Sequence, residues 1–253
     1  MLTRIEVVAD PVRDRCVLTT GLLSPRRLSA PPGIVRIALV AASALLLAGD
    51  HVRIEVVVHG QARLEIIETA GTVAYAMRGG SSRWDVDITL TAGATLTWHG
   101  EPFVVAEGAD VTRSTRVTMY ADCSAALRES LVFGRHGEEG GTLRTSTRVH
   151  RGDDLLLAED LDLSPRARTG WAVLGTTRCL DTVTTLGSRL PESDQTLQLE
   201  GVGSIARRLL DAQHQSDLTE VWATHTLADG GVWQDLGMTP RRLDPTTARP
   251  TPA

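Results

Sequence analysis

VVVHGQARLEI, residues 56–66, returns in altered form three more times along the chain, as ITLTAGATLTW (88–98), VTMYADCSAAL (117–127) and TRVHRGDDLLL (147–157). Aligned at their centres, Gly60, Gly93, Asp122 and Gly152 fall 33, 29 and 30 residues apart. In each stretch an alternating run rich in β-branched and aliphatic residues reaches a Gly or Asp, where a positive φ costs little, and a second run follows. A repeat of about 30 residues implies supersecondary units that bury a continuous core by stacking on one another. The expected fold is mainly β: an elongated, repetitive, helicoid-like β structure.

The surroundings carry the same period of two. RIEVVV (53–58), WDVDITL (84–90), RVTM (116–119), LRTSTRV (143–149) and EDLDL (159–163) set apolar residues against charged or hydroxylic ones. That is the pattern of half-buried strands, and HGQ, RGGSS, TAGA, YADC, EEGG and RGDD punctuate it. The apolar run IVRIALVAASALLLA (34–48) contains Arg36 and is shorter than the roughly 20 residues of a spanning helix. It reads as buried strands meeting at a turn. Beyond Gly201 the pattern changes. SIARRLLDAQ (204–213) places Ile205, Leu209 and Leu210 on one helical face behind a Ser204 N-cap. DLTEVWATHTLA (217–228) supports a second helix, or a helix running into a strand. About two helices are thus expected near the C-terminus. Residues 1–238 read as one β domain, followed by a disordered Pro/Thr/Arg-rich tail at 239–253.

Composition narrows the chemistry. Every basic side chain is Arg, so Schiff-base and P-loop lysine mechanisms are excluded. The net charge of −5 argues against nucleic acid as a partner, and no segment reads as a membrane span. Cys16, Cys123 and Cys179 are odd in number and form no CxxC, which suits a reducing, cytoplasmic location. The histidines form no HxH, HExxH or HxxxH, and several follow strands at turns, where a solvated imidazole is expected. Pairs such as Asp85 and Asp87 read as the wet face of a sheet. LRESLVFGRHGE (127–138) reads as a strand broken by Gly134, with Glu129 opposite Arg128 and Arg135 free to clamp a carboxylate or carbonyl at the corner.

LLLAGDHVRIEVVVHGQARLEIIETAGTVAY (45–75), LTAGATLTWHGEPFVVAEGADVTRSTRVTMYADCSAALRESLVFGRHGE (90–138), RGDDLLLAEDLDL (151–163) and VLGTTRCLDTVTTLG (173–187) resemble, in this order, the urease accessory proteins called UreD, or UreH in some species. The resemblance covers about residues 10–225. It implies a non-enzymatic scaffold that binds the urease apoprotein and the accessory protein UreF and, through UreF, the nickel-carrying GTPase UreG. A homodimer of the accessory complex is compatible with it. It also implies Ni²⁺ in transit through the interior and no tightly bound cofactor. Such an ion would meet hard oxygen ligands that hold it briefly. Asp50, Glu65, Glu68, Glu101, Glu129 and Glu159 are the candidates for these contacts, with Gly134 and Arg135 as structural residues. The alternative is a β-helical or cupin-like enzyme acting on a small acid or carbohydrate, built on a compact His/carboxylate cluster. A self-assembling β-repeat protein is a third reading.

Overall fold

Because β-branched residues alternate with polar ones, each strand offers one dry and one wet face, and a dry face is stable only against another. In the computed structural model, which describes residues 1–228, these faces close on one another as two sheets; the domain end expected at 238 and the tail expected at 239–253 lie outside the described residues. The first contains β1 (Leu2–Val8), β2 (Arg15–Thr19), β5 (His51–His59), β8 (Ser82–Thr91), β10 (Asp110–Met119), β12 (Thr142–Arg151) and β13 (Asp154–Asp162). The second contains β3 (Leu23–Leu28), β4 (Val35–Ala41), β6 (Arg63–Glu68), β7 (Thr72–Ala74), β9 (Thr95–Val105), β11 (Ser124–Phe133), β14 (Cys179–Leu186), β15 (Thr196–Gln198) and β16 (Gly203–Leu210). Two helices lie in the C-terminal part: α1 (Pro165–Arg168) and α2 (Leu218–Ala228), with a 3-10 turn at Gln213–Gln215. Among the described residues, no helix is long and apolar enough to cross a membrane.

The sheets run in the orders β13-β12-β10-β8-β5-β1-β2 and β15-β16-β14-β11-β9-β6-β4-β3. Their middles are parallel: β1, β5, β8, β10 and β12 in one, β4, β6, β9 and β11 in the other. Antiparallel strands close both ends of each sheet. The arrangement is a β-solenoid-like stack, as the repeat predicts.

The repeat's turns work differently from hairpins in three cases of four. At Gly60, Gly93 and Asp122 the chain passes from the first sheet to the second, and the flanking strands pair with neighbouring repeats. Only the turn at Gly152 is a hairpin, joining β12 to the antiparallel β13. The ladders also correct the spacing. His51 pairs with Arg83, Ser82 with Val111 and Asp110 with Thr142, offsets of 32, 29 and 32 residues. Gly60 therefore corresponds to Ala92, itself left-handed at φ 55°, and not to Gly93.

Two further expectations are overturned. Residues 34–48 form one strand, β4, and then an irregular segment in which Leu45 and Leu46 plug the core. SIARRLLDAQ is no helix. Its first seven residues belong to β16, held between β14 and β15. Ile205 and Leu209 are four residues apart, a spacing that shares one face in a strand as well as in a helix. Two open sheet edges decide for the strand, because they satisfy its backbone groups on both sides.

The core is apolar where repeats face each other early in the stack, with Ile54, Val56, Leu64, Ile66, Trp84, Ile88 and Leu96 all buried. On the outer side of the second sheet, α2 seats Leu218 and Trp222 against Ala126, Val183 and Ala206. Arg128 and Asp181 are buried on this same outer side and paired at 3.1 Å; Ser130 Oγ and Ser216 Oγ also donate to Asp181. The expectation of solvated turn histidines fails for His99, which lies mid-strand and buried, 3.3 Å from Arg128 and edge-on to Trp222. Desolvation, with Arg128 adding, lowers its pKa to about 4, so its imidazole is neutral. Asp85 is likewise buried, accepting from His51 and Arg83, and is no wet-face residue.

The corner after β11 shows how a turn is locked. Gly134 has φ 79°, and Arg135 grips the Glu138 carboxylate through its backbone N–H, Nε and Nη2. That pair is exposed, and exposed pairs stabilise little. Two arginines from further along hold the corner more firmly. Arg178 donates to the carbonyls of Phe133, Gly134, Arg135 and Glu138, and the buried Arg168 to those of Glu139, Gly140, Gly141 and Leu163. A Cβ on Gly134 would lie 2.4 Å from the Glu138 carbonyl oxygen, whereas Gly137, at φ 81°, has nothing within 4 Å. Gly134→Ala should therefore cost about 3 kcal/mol and Gly137→Ala only about 1 kcal/mol. Urea denaturation of both variants checks this; equal losses would remove the steric account.

Candidate functional site

β10 and β12 break the apolar rule on their inward faces. VTRSTRV (111–117) and LRTSTRV (143–149) point Arg113, Thr115, Thr145 and Thr147 inward, where β8 has Trp84 and Val86. Opposite them, β11 supplies Leu127 and Glu129, and β14 supplies Thr182 and Thr184. A threonine is shorter and more polar than the aliphatic side chain a core column needs, so the sheets enclose space here instead of filling it.

Two cavities result, of about 30 and 50 Å³, room for a few water molecules. The first is walled by Glu68, Trp84, Trp98, Glu101, Phe103 and Arg113, among others. The second is walled by Thr147, Glu159, Thr182, Thr184 and Arg207, among others. They share Arg113, Thr115, Leu127 and Glu129, so one wall belongs to both. At that wall Arg113 Nη2 lies 2.5 Å from the Glu129 carboxylate, tying the first sheet to the second. Behind the first cavity, Glu68 and Trp84 also line a surface recess between residues 43–45 and 69–75. At the far end, Arg207 binds Glu159 through both guanidinium nitrogens, at 2.9 and 2.8 Å, with both side chains partly exposed.

Four of the six candidate acids line the two cavities: Glu68 and Glu101 the first, Glu129 both and Glu159 the second, the Glu101 carboxylate also lying 3.9 Å from His99. The other two do not. Glu65 points to the opposite side of its strand and is buried in an ion pair with Arg36 at 2.7 Å. Asp50 sits in the turn before β5 and accepts the Leu47 N–H. Among the described residues, no three His, Cys, Asp or Glu side chains gather closely enough to hold one metal ion. Residue-by-residue reading of the sequence misses Arg113, Arg207 and the inward threonines. The threonines had a signal in VTRSTRV and LRTSTRV, where hydroxyls replace the aliphatic residues expected at alternate positions; Arg207 lies in neither stretch.

Comparison with known proteins gives one family. The model of the UreD urease accessory protein matches residues 19–239. The urease accessory protein UreD 1 of Streptomyces griseus subsp. griseus is 43% identical over 212 residues, covering 81% of this chain and 83% of its own length. UreD of Streptomyces avermitilis is 35% identical over 164 residues (63% and 65%), and UreD 1 of Saccharopolyspora erythraea 38% identical over 166 residues (63% and 65%).

Glu68 is the most perturbed of these four acids. It accepts the Trp98 indole N–H at 3.2 Å and the Glu101 backbone N–H at 3.1 Å, and what surface it keeps faces the cavity and the recess behind it. Desolvation raises its pKa from 4.5 to about 7, outweighing Arg113 and both hydrogen bonds, and the Glu129 charge adds to the rise. The folded protein therefore keeps a proton that the unfolded chain releases between pH 4.5 and about 7. Stability from this group is complete below pH 4.5 and declines as pH rises through about 7. Glu68→Gln should flatten that decline by up to about 3 kcal/mol. Urea titrations at closely spaced pH measure it; parallel pH profiles for the two proteins would remove Glu68 as the cause.

Proposed function

The chain belongs to the UreD family of urease accessory proteins, and from that premise we propose that it serves urease maturation as a non-enzymatic scaffold with an interior conduit for Ni²⁺. Its partners on this reading are the urease apoprotein, UreF and, through UreF, UreG, and its place is the cytoplasm. The observation that carries the conduit is the passage between the sheets, lined by Glu68, Glu101, Glu129 and Glu159 with threonine hydroxyls between them.

The chemistry suits a cargo better than a resident ion. Carboxylate, hydroxyl and water oxygens bind Ni²⁺ less firmly than imidazole or thiolate, and spaced single carboxylates offer successive weak stations. The cavities hold only a few waters, so an ion inside exchanges part of its hydration shell for protein oxygens and is drawn on by the next carboxylate. Glu65 takes no part, because its carboxylate faces away from the passage and is neutralised by Arg36.

Glu68→Gln and Glu129→Gln, each expressed with the urease subunits and accessory proteins at limiting nickel, should lower urease nickel content and activity several-fold. Co-purification with urease and UreF should persist, and Asp50→Asn should behave as the native chain. Full activation by both Gln variants would refute the conduit; loss of co-purification by the unmodified chain would refute the scaffold.

A further inference from the structure

Four arginines among the described residues are each held by several hydrogen bonds. Arg168 and Arg178 spend their donors on backbone carbonyls, Arg128 reaches both Asp181 and His99, and Arg207 grips Glu159 through two nitrogens. Those are structural clamps, with geometry fixed by several directional bonds. Arg113 is different. Its side chain is 13% exposed, it meets one carboxylate through Nη2, and its buried Nε has no hydrogen-bond partner. The guanidinium otherwise rests against aromatic faces, 5.1 Å from the Phe103 ring and 5.9 Å from that of Trp84. Such faces stabilise a cation without fixing its position.

Its place is as telling as its bonding. In register Arg113 lies between Trp84 on β8 and Thr145 on β12, an inward column position where packing would call for an aliphatic residue. It stands at the wall common to both cavities, with Glu129 directly across. Glu68, Glu101 and Glu129 bring three carboxylates to one cavity, the last two 29% and 40% exposed, and with no cation beside them their charges would repel. A tethered guanidinium relieves that repulsion.

We propose that Arg113 is the resident counter-cation and gate of the passage: its guanidinium occupies the cargo's position at Glu129 in the empty protein, and a divalent cation passes by displacing it from Glu129 while the rings of Trp84 and Phe103 keep hold of its charge. The inference rests on reading the inter-sheet space as a conduit. It adds a reason for weak binding, since each entering ion must compete with a charge built into the wall. It also explains the sparse hydrogen bonding of this one interior arginine, because a group that must move cannot be held by many directional bonds.

The test is titration calorimetry of the full chain with Ni²⁺ alone. Arg113→Gln should bind Ni²⁺ at least about tenfold more tightly than the native chain, because a positive charge beside the site is gone. Glu129→Gln should bind more weakly, and Arg113→Gln combined with Glu129→Gln should lose the gain. An ion pair that no cation reaches predicts unchanged Ni²⁺ affinity when either partner is removed, so the opposite signs are diagnostic. Circular dichroism checks the fold; if Arg113→Gln is not recovered folded, Arg113→Met keeps the aliphatic stem against the rings and should show the same gain. No gain in the folded Arg113 variant overturns the gate. Failure of the conduit itself is read separately, as unchanged urease activation by Glu68→Gln and Glu129→Gln.

Discussion

In a stack of parallel strands each inward side chain sits beside its register partner in the next strand, so the interior is filled column by column. The column Val56, Ile88, Val117, Val149 and Leu157 stays apolar across the whole first sheet and forms a dry seam. Its neighbour runs Ile54, Val86, Thr115, Thr147 and Glu159, passing from hydrocarbon to hydroxyl to carboxylate. Since neither sheet can shift by one residue without exposing the dry seam, the polar column is held in place by the apolar one. The polar lining of the two cavities is therefore a property of register: the same alternation that buries valine in one column lines up threonine in the next.

Polar groups are buried on both sides of the second sheet, and they are treated differently. Under α2, Asp181 accepts from Arg128, Ser130 and Ser216, and His99 stays neutral against Trp222. That network is well supplied with bonds and fastens the helix to the sheet. At the first cavity, Glu68 and Arg113 have fewer partners and the space beside them is open. A well-bonded network suits rigidity, whereas sparse bonding beside free space suits exchange of partners.

Much of this was legible in the sequence. The repeat and its alternation of period two indicate stacked strands, because alternation reports a half-buried surface directly. The route of the chain at each turn was not legible, since a Gly or Asp with positive φ serves a hairpin and a sheet-to-sheet corner equally well. SIARRLLDAQ was ambiguous for a related reason: residues four apart satisfy both periods, and the open edges of β14 and β15 that settle it lie in other parts of the chain. Of the acids singled out, Glu68, Glu101, Glu129 and Glu159 share one interior, while Glu65 faces the other way. Parity within a strand separates Glu65 from Glu68, but only the sheet shows which parity faces in. Arg113 shares the parity of Val111 and Val117, which sets it apart from the outward Arg116, but nothing in VTRSTRV shows the carboxylate and the two rings it meets there.

The antiparallel strands at both ends of the stack set a dimension. Trp84, beside the first cavity, and Glu159, at the second, are separated in the first sheet by three strand-to-strand steps, from β8 through β10 and β12 to β13. Strands lie about 4.8 Å apart, so the two cavities together span about 14 Å along the stack. Because each repeat contributes one step, the length of this polar-lined space is quantised in units of a whole repeat. A relative that gained or lost a repeat would change that length by one strand spacing, while residue changes within a repeat alter only what lines it.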